Sequence, residues 1–389
     1  MNDRDARARL LAAPVPDEFD AQRRAWRVVQ GAYAEREPVP WLERNARLVL
    51  TLAALVALLT AAVTPPGRAL AGWIREAVAS EPTGPALASL PAPGRMLVVS
   101  SQGAWVVHPD GTKRRLGTYE DASWSPRGLF VVVTRDRTLT AVEPTKGEVR
   151  WALSSSTRVA DPRWAPSGFR IAYRAGTTLR VIAGDGTGDR LVARGVGAVA
   201  PAWRPGPQHV LAFVDRAGGL SIVNTDTGAG SLRTHTAAGA RQLLWSPDGS
   251  RLAIVSGQSR IQLYTSAGRL LRTIQRPRGS SVVQAAFAPR GRRLALTETE
   301  ALTGRGRVVL ADIARGSPRT LTSLEGRLDD IAWAPNGRWL LVGWPTADQW
   351  LFLQVPGVRR IETVSGIAQE FDPGSRGART FPRIVGWCC

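Results

Sequence analysis

Cysteine is nearly missing from this chain of 389 residues: there are two, Cys388 and Cys389, adjacent at the C-terminal end. Without a CxxC pair or a Cys/His cluster, no zinc site is expected. The two thiols can pair with another chain or with each other in a vicinal ring. Histidine is almost as scarce, and His108, His209 and His235 are scattered, reading as turn or surface residues. No metal and no cofactor are expected. There is no G-x-S-x-G, so a fused serine-hydrolase domain of the prolyl-peptidase kind is excluded. There is no P-loop either: Gly184-Asp185-Gly186-Thr187-Gly188 reads as a hairpin turn and not as a phosphate cradle. A calcium role for Asp185 and Asp189 is the lesser alternative there. Ser246-Pro247-Asp248-Gly249 lacks the later aromatic of a sialidase-type Asp box.

Lysine is the third scarcity. Only Lys113 and Lys146 occur among 51 basic residues, so the net charge of +19 is carried by arginine. Two readings stay open: a GC-rich genome that favours Arg codons, or a surface that attracts anionic partners. What is abundant points to an all-β repeat protein. Hydrophobic residues make up 44%, enough for a packed core. The 39 Gly and 27 Pro supply many turns, and the 14 Trp recur at regular intervals.

One long apolar run lies near the N-terminus. Residues 48–67, LVLTLAALVALLTAAVTPPG, carry no charge, and a helix of that length just crosses a hydrocarbon core. It begins too deep, and lacks a convincing cleavage site, to be a simple secretory signal. Nine Arg precede it in residues 1–47, against Arg68 and Arg75 in the twenty residues after it. The positive-inside rule therefore expects a cytoplasmic tail and an extracytoplasmic remainder, held at the cell membrane by a single span. Within the tail, Phe19, Trp26, Val29 and Tyr33 fall near one helical face, with Arg23, Arg24 and Arg27 between them. This short amphipathic helix either lies on the inner leaflet or docks a cytoplasmic regulator such as a sigma factor. Residues 68–95 read as an interfacial segment followed by a Pro-rich linker.

Residues 96–389 repeat. Trp124-Ser-Pro126-Arg-Gly128, Trp164-Ala-Pro166-Ser-Gly168 and Trp203-Arg-Pro205-Gly206 are followed by Trp245-Ser-Pro247-Asp-Gly249, Phe287-Ala-Pro289-Arg-Gly291 and Trp333-Ala-Pro335-Asn-Gly337. A period of roughly 40 residues with four strand signals per unit is that of a β-propeller. Pro presets φ and Gly accepts a positive φ, so each motif is a turn, and its aromatic is expected to pack between blades. These motifs closely resemble the TolB-like propeller repeat, W-[SA]-P-x-G followed by a short apolar strand. The resemblance is specific for fold and weak for function, since one propeller scaffold serves many roles. A degenerate copy at Phe371, Pro373 and Gly374 suggests that the C-terminal segment gives the first blade its inner strand, making seven blades; six is the alternative.

The function expected is binding or scaffolding rather than catalysis, possible signalling through the tail included. An unrecognised lyase or hydrolase acting at the propeller mouth is the alternative. Residues 1–47 balance to +1, which leaves +18 for the remainder. Reading loops off the repeats places Arg135, Arg137, Arg158, Arg174, Arg216, Arg241 and Arg260 around one mouth. Arg presents a planar fork of donors suited to carboxylate or phosphate. The partner expected there is a protein or an anionic cell-envelope polymer; no nucleic acid is expected.

Overall fold

The computed structural model describes residues 87–234, 237–256, 260–314, 318–373 and 379–389. The expected tail helix and the expected span at 48–67 lie outside them. No helix among the described residues is long and apolar enough to cross a membrane.

Among the described residues, twenty-eight strands form seven four-stranded antiparallel sheets, each a blade. Blade 1 joins β28 (Arg383–Cys388) to β1 (Arg95–Ser100), β2 (Gly103–Val107) and β3 (Lys113–Gly117). Strands β4–β7 make blade 2 within residues 121–154, β8–β11 blade 3 within 159–194, and β12–β15 blade 4 within 202–234. Strands β16–β19 make blade 5 within 240–275, β20–β23 blade 6 within 280–324, and β24–β27 blade 7 within 331–365. The all-β, seven-bladed expectation holds, and six blades are excluded.

In blades 2, 3, 5, 6 and 7 the inner strand ends on the repeat aromatic and turns at Pro-x-Gly; blade 4 turns at Pro205-Gly206. In blade 5 the Gly249 N–H donates to Ser246 O at 2.8 Å, with Gly249 at φ +66. A side chain there would meet Pro205 O of blade 4 at 2.5 Å, so glycine permits both the turn and the close approach of the neighbouring blade. The indoles stitch the ring together. Trp203 Nε1 donates to Arg163 O at 2.8 Å, Trp245 to Ala202 O at 3.1 Å, and Trp333 to Ala286 O at 3.0 Å. In every case the acceptor precedes the aromatic of the previous blade. Trp164 instead bonds Gly168 O within its own turn, and Phe287 has no donor.

Closure departs from the expected detail. The C-terminus does supply the inner strand of blade 1, with Met96 opposite Trp387 and Val98 opposite Ile384. Phe371 and Pro373, however, are not part of a repeat turn. Ile367–Phe371 forms a short helix, α1, whose Phe371 is fully buried against Trp105 and Trp350. Gly374 lies outside the described residues. The aromatic of the closing strand is Trp387, followed by Cys388-Cys389 where other blades have Ser-Pro, Ala-Pro or Arg-Pro, and the two cysteines are bonded to each other. Trp387 and Trp124, on either side of the junction, bury their indole N–H groups without a partner among the described residues. The expected linker is also partly packed: Leu87, Leu90 and Ala92 are buried in the core shared by blades 1 and 7.

Candidate functional site

Strand direction sorts the loops onto two faces. Inner strands end, and second strands begin, at the W-x-P-x-G turns; the third-to-fourth hairpins lie on that same turn face. The second-to-third hairpins and the blade-to-blade connections gather on the opposite, mouth face. All seven arginines singled out from the sequence belong to the mouth loops or the strand ends that feed them.

Backbone bonds tie these loops to one another. Ser155 N–H donates to Arg137 O at 2.8 Å, Gly176 N–H to Arg158 O at 2.8 Å, and Arg216 N–H to Gly195 O at 3.0 Å. Ala237 N–H donates to Gly218 O at 3.0 Å. Every hairpin loop in this sector therefore leans on the neighbouring connection. Between blades 3, 4 and 5 the arrangement leaves an open cleft of about 640 Å³, lined by Arg174, Asp215, Arg216 and small residues such as Gly197, Ala217 and Ala238. Gly218, at φ +84, lets its hairpin approach the Ala238 backbone more closely than any side chain would allow.

The seven arginines are not alike. Arg174 and Arg216 share this cleft. Arg174 is clasped by Asp161 at 2.7 Å, because a bulge in the inner strand of blade 3 places Asp161 in the left-handed region at φ 52. Arg158 meets Glu120 at 2.6 Å, and Arg135 donates to Thr118 at 2.7 Å with Asp136 at 4.0 Å. Arg137, Arg216, Arg241 and Arg260 are exposed, with no side-chain partner among the described residues. Arg135, Arg137 and Arg158 belong to the blade 2 side of the mouth, and Arg241 and Arg260 to blade 5.

The mouth also carries carboxylates that the sequence reading did not weigh. Glu298 is completely buried and forms an ion pair with Arg276, which is 7% exposed. Arg327 holds Asp329 at 2.7 Å, and Arg383 of the closing strand holds Asp121 at 2.6 Å. Asp330 accepts a hydrogen bond from the Ile384 N–H at 2.7 Å, yet burial pushes its carboxyl up to about 6. The signal was available, since Glu298 sits in a strand of alternating Thr and Glu and Asp329-Asp330 is a doublet at a blade junction. Beside blade 3, Asp189 is taken by Tyr173 at 2.6 Å and Arg180 at 2.5 Å, while Asp185 accepts from Thr187. Burial and the Asp189 carboxylate hold the Tyr173 hydroxyl well above its usual range. These two aspartates thus face separate partners, and among the described residues no group of three or more His, Cys, Asp or Glu is placed to hold a metal ion.

Chemically, the cleft offers one uncommitted guanidinium, one held by Asp161, the Asp215 carboxylate turned to the N–H groups of its own hairpin, and a wall of alanine and valine. Arg216 gives it one cation to set against a carboxylate or phosphate group.

No family model and no curated protein matches the chain. Among solved structures it is similar to hydrazine synthase of Kuenenia stuttgartiensis, at 15% identity over 60% of this chain and 75% of that one, with a TM-score of 0.48. A likeness of that size carries nothing about activity; the propeller rests on its own strand order.

Proposed function

We propose that this chain is a membrane-anchored, extracytoplasmic propeller of the TolB-like kind whose mouth binds an anionic ligand, either an acidic protein segment or a cell-envelope polymer, without catalysing a reaction. The observation that carries the reading is the cleft between blades 3, 4 and 5, where Arg216 projects without a carboxylate partner among the described residues and the loops are braced by backbone bonds. A braced loop loses little freedom on binding, so a single guanidinium can give useful affinity. The anchoring part of the proposal rests on the apolar run at 48–67 and the arginine asymmetry around it.

Both parts can be tested separately. For the mouth, a short acidic peptide is titrated into the protein while amide exchange is followed at residues 195–199 and 216–219. Protection there that weakens about tenfold in Arg216→Glu/Arg137→Glu, with an unchanged melting curve, supports the site. Equal protection in the variant overturns it. For the anchor, external protease on intact cells with the wall opened should digest the propeller and spare a tag at Met1. A protected propeller would reverse the topology.

A further inference from the structure

We propose that the turn face, opposite the mouth, is a docking surface for an anionic phospholipid bilayer. Four observations converge on it. The first is where exposed apolar side chains occur. Among the described residues Leu129, Val149, Phe169, Leu191, Leu270 and Leu271 are large and exposed, and all lie in or beside the turn-face loops; only Leu302 belongs to the mouth.

The second is a single recurring position. The residue after the turn glycine points outward in five blades, and there stand Leu129, Phe169, Ser250, Arg292 and Arg338. Leu129 is 59% and Phe169 68% exposed. Ordinary turn chemistry asks for neither at a solvent-facing tip. The third is charge. Arginines on this face outnumber carboxylates, and Arg127, Arg290, Arg292 and Arg338 have no carboxylate partner among the described residues. On the mouth the two signs nearly match.

The fourth is the path of the chain. Leu90 N–H donates to Pro109 O at 2.8 Å in the outer hairpin of blade 1, and Gly94 lies against Pro335 and Cys388 O. All of these are turn-face positions. The first described residues, from Leu87 to Gly94, therefore run along this face.

The combination selects the partner. A soluble polyanion would satisfy the guanidinium groups and leave Leu129 and Phe169 in water. A protein would favour a contiguous apolar pocket, whereas these tips sit on separate blades around the ring. A planar interface with phosphate outside and hydrocarbon beneath meets both sets together: Arg on the headgroups, Leu and Phe in the acyl boundary. The inference does not depend on the mouth reading or on the span at 48–67.

The test uses the unit Glu81–Cys389, which contains the whole closed ring and its core. It is sedimented with vesicles of phosphatidylcholine alone and with about 30% phosphatidylglycerol, at low and high salt. Binding at least about tenfold tighter to the anionic vesicles and weakened by salt is expected, because each cation beside an anionic leaflet contributes about a fivefold factor. Arg290→Glu/Arg292→Glu/Arg338→Glu should abolish it. Leu129→Ser/Phe169→Ser should weaken vesicle binding about tenfold and leave polyglutamate binding unchanged. Melting curves for both variants check the fold. Equal sedimentation with neutral and anionic vesicles overturns the proposal. So does vesicle binding indifferent to Leu129→Ser/Phe169→Ser, which would make this a surface for soluble polyanions. Because the unit lacks residues 48–67, failure here is distinct from failure of the anchor, which the protease experiment reads.

Discussion

Arginine is used in two ways on the two faces of this ring. On the mouth face Arg276 is sealed against Glu298, Arg174 is clasped by Asp161, Arg327 by Asp329, and Arg383 by Asp121. On the turn face Arg290, Arg292 and Arg338 stand in water without a carboxylate partner among the described residues, on the same face as exposed Leu129 and Phe169. Carboxylates occur on both faces, but arginines outnumber them more heavily on the turn face than on the mouth, which a uniform bias toward Arg codons would not produce. The excess charge thus has a direction, and a total of +19 by itself hides it. Those four mouth arginines bind the protein to itself, and Arg290, Arg292 and Arg338 are available to something else. Each face also holds the other kind, since Arg137, Arg216, Arg241 and Arg260 are unpaired on the mouth among the described residues and Arg170 and Arg190 share Asp226 on the turn face.

The comparison can be broken first at the ring that holds both faces. Removing residues 383–389 takes Ile384 and Trp387 out of the core and leaves the inner edge of β1 without its partner. A loss of about 5 kcal/mol or more is expected, with the single cooperative denaturant transition abolished. A truncated ring that unfolds like the intact one would show that β28 does not close it. Next come the arginines themselves. Arg276→Met leaves Glu298 buried and unpaired, at a cost of about 3–5 kcal/mol, whereas Arg292→Met or Arg338→Met should shift stability by less than about 0.5 kcal/mol. Similar costs at all three positions, measured by urea denaturation, would erase the distinction between the faces.

The smallest effect sharpens the mouth side further. Burial raises the Asp330 carboxyl to about 6, above its unfolded value near 3.8, so the folded chain binds this proton more tightly than the unfolded chain. Its stabilising contribution is complete below about pH 4 and disappears as pH rises through 6. Asp330→Asn keeps an acceptor for the Ile384 N–H and carries no charge. It should gain about 1–3 kcal/mol relative to the parent above pH 6, and the difference between the two should vanish near pH 4. A difference that is flat from pH 4 to 8 would rule this out.

Much of the architecture is legible in the sequence because turn chemistry and interblade packing both fall on one short motif. Proline, glycine and the aromatic each have a local job, so six copies carry the blade pattern. The closing strand itself was harder to read. Trp387-Cys388-Cys389 has neither the proline nor the glycine of the repeat, and α1 is interposed, so Phe371 took its place in the pattern. Counting along the repeats assigns the seven arginines to loops, and the strand order puts those loops on the face opposite the W-x-P-x-G turns. Their acids were not found: Asp161 reaches Arg174 only through a left-handed bulge, and Glu298 reaches Arg276 from another connection. The exposed tips at Leu129 and Phe169 were in view all along, but as part of "a short apolar strand". In the folded chain both lie in the turn, ahead of strands that begin at Val131 and Arg170, and outside the core.

One feature of the ring also governs when it can exist. Blade 1 takes three strands from residues 95–117 and the fourth from Arg383–Cys388, so its pairing joins positions nearly the whole domain apart in sequence. Emerging from the ribosome, blades 2 to 7 can each assemble from their own segment, while β1 waits with an open edge until residues 383–388 have been made. Contacts of such long range close slowly, since loop entropy is spent before the pairing energy returns. Folding should therefore show a late, rate-limiting phase assignable to a single strand. During that wait the unpaired edge of β1 is the part of the molecule most exposed to pairing with a second chain.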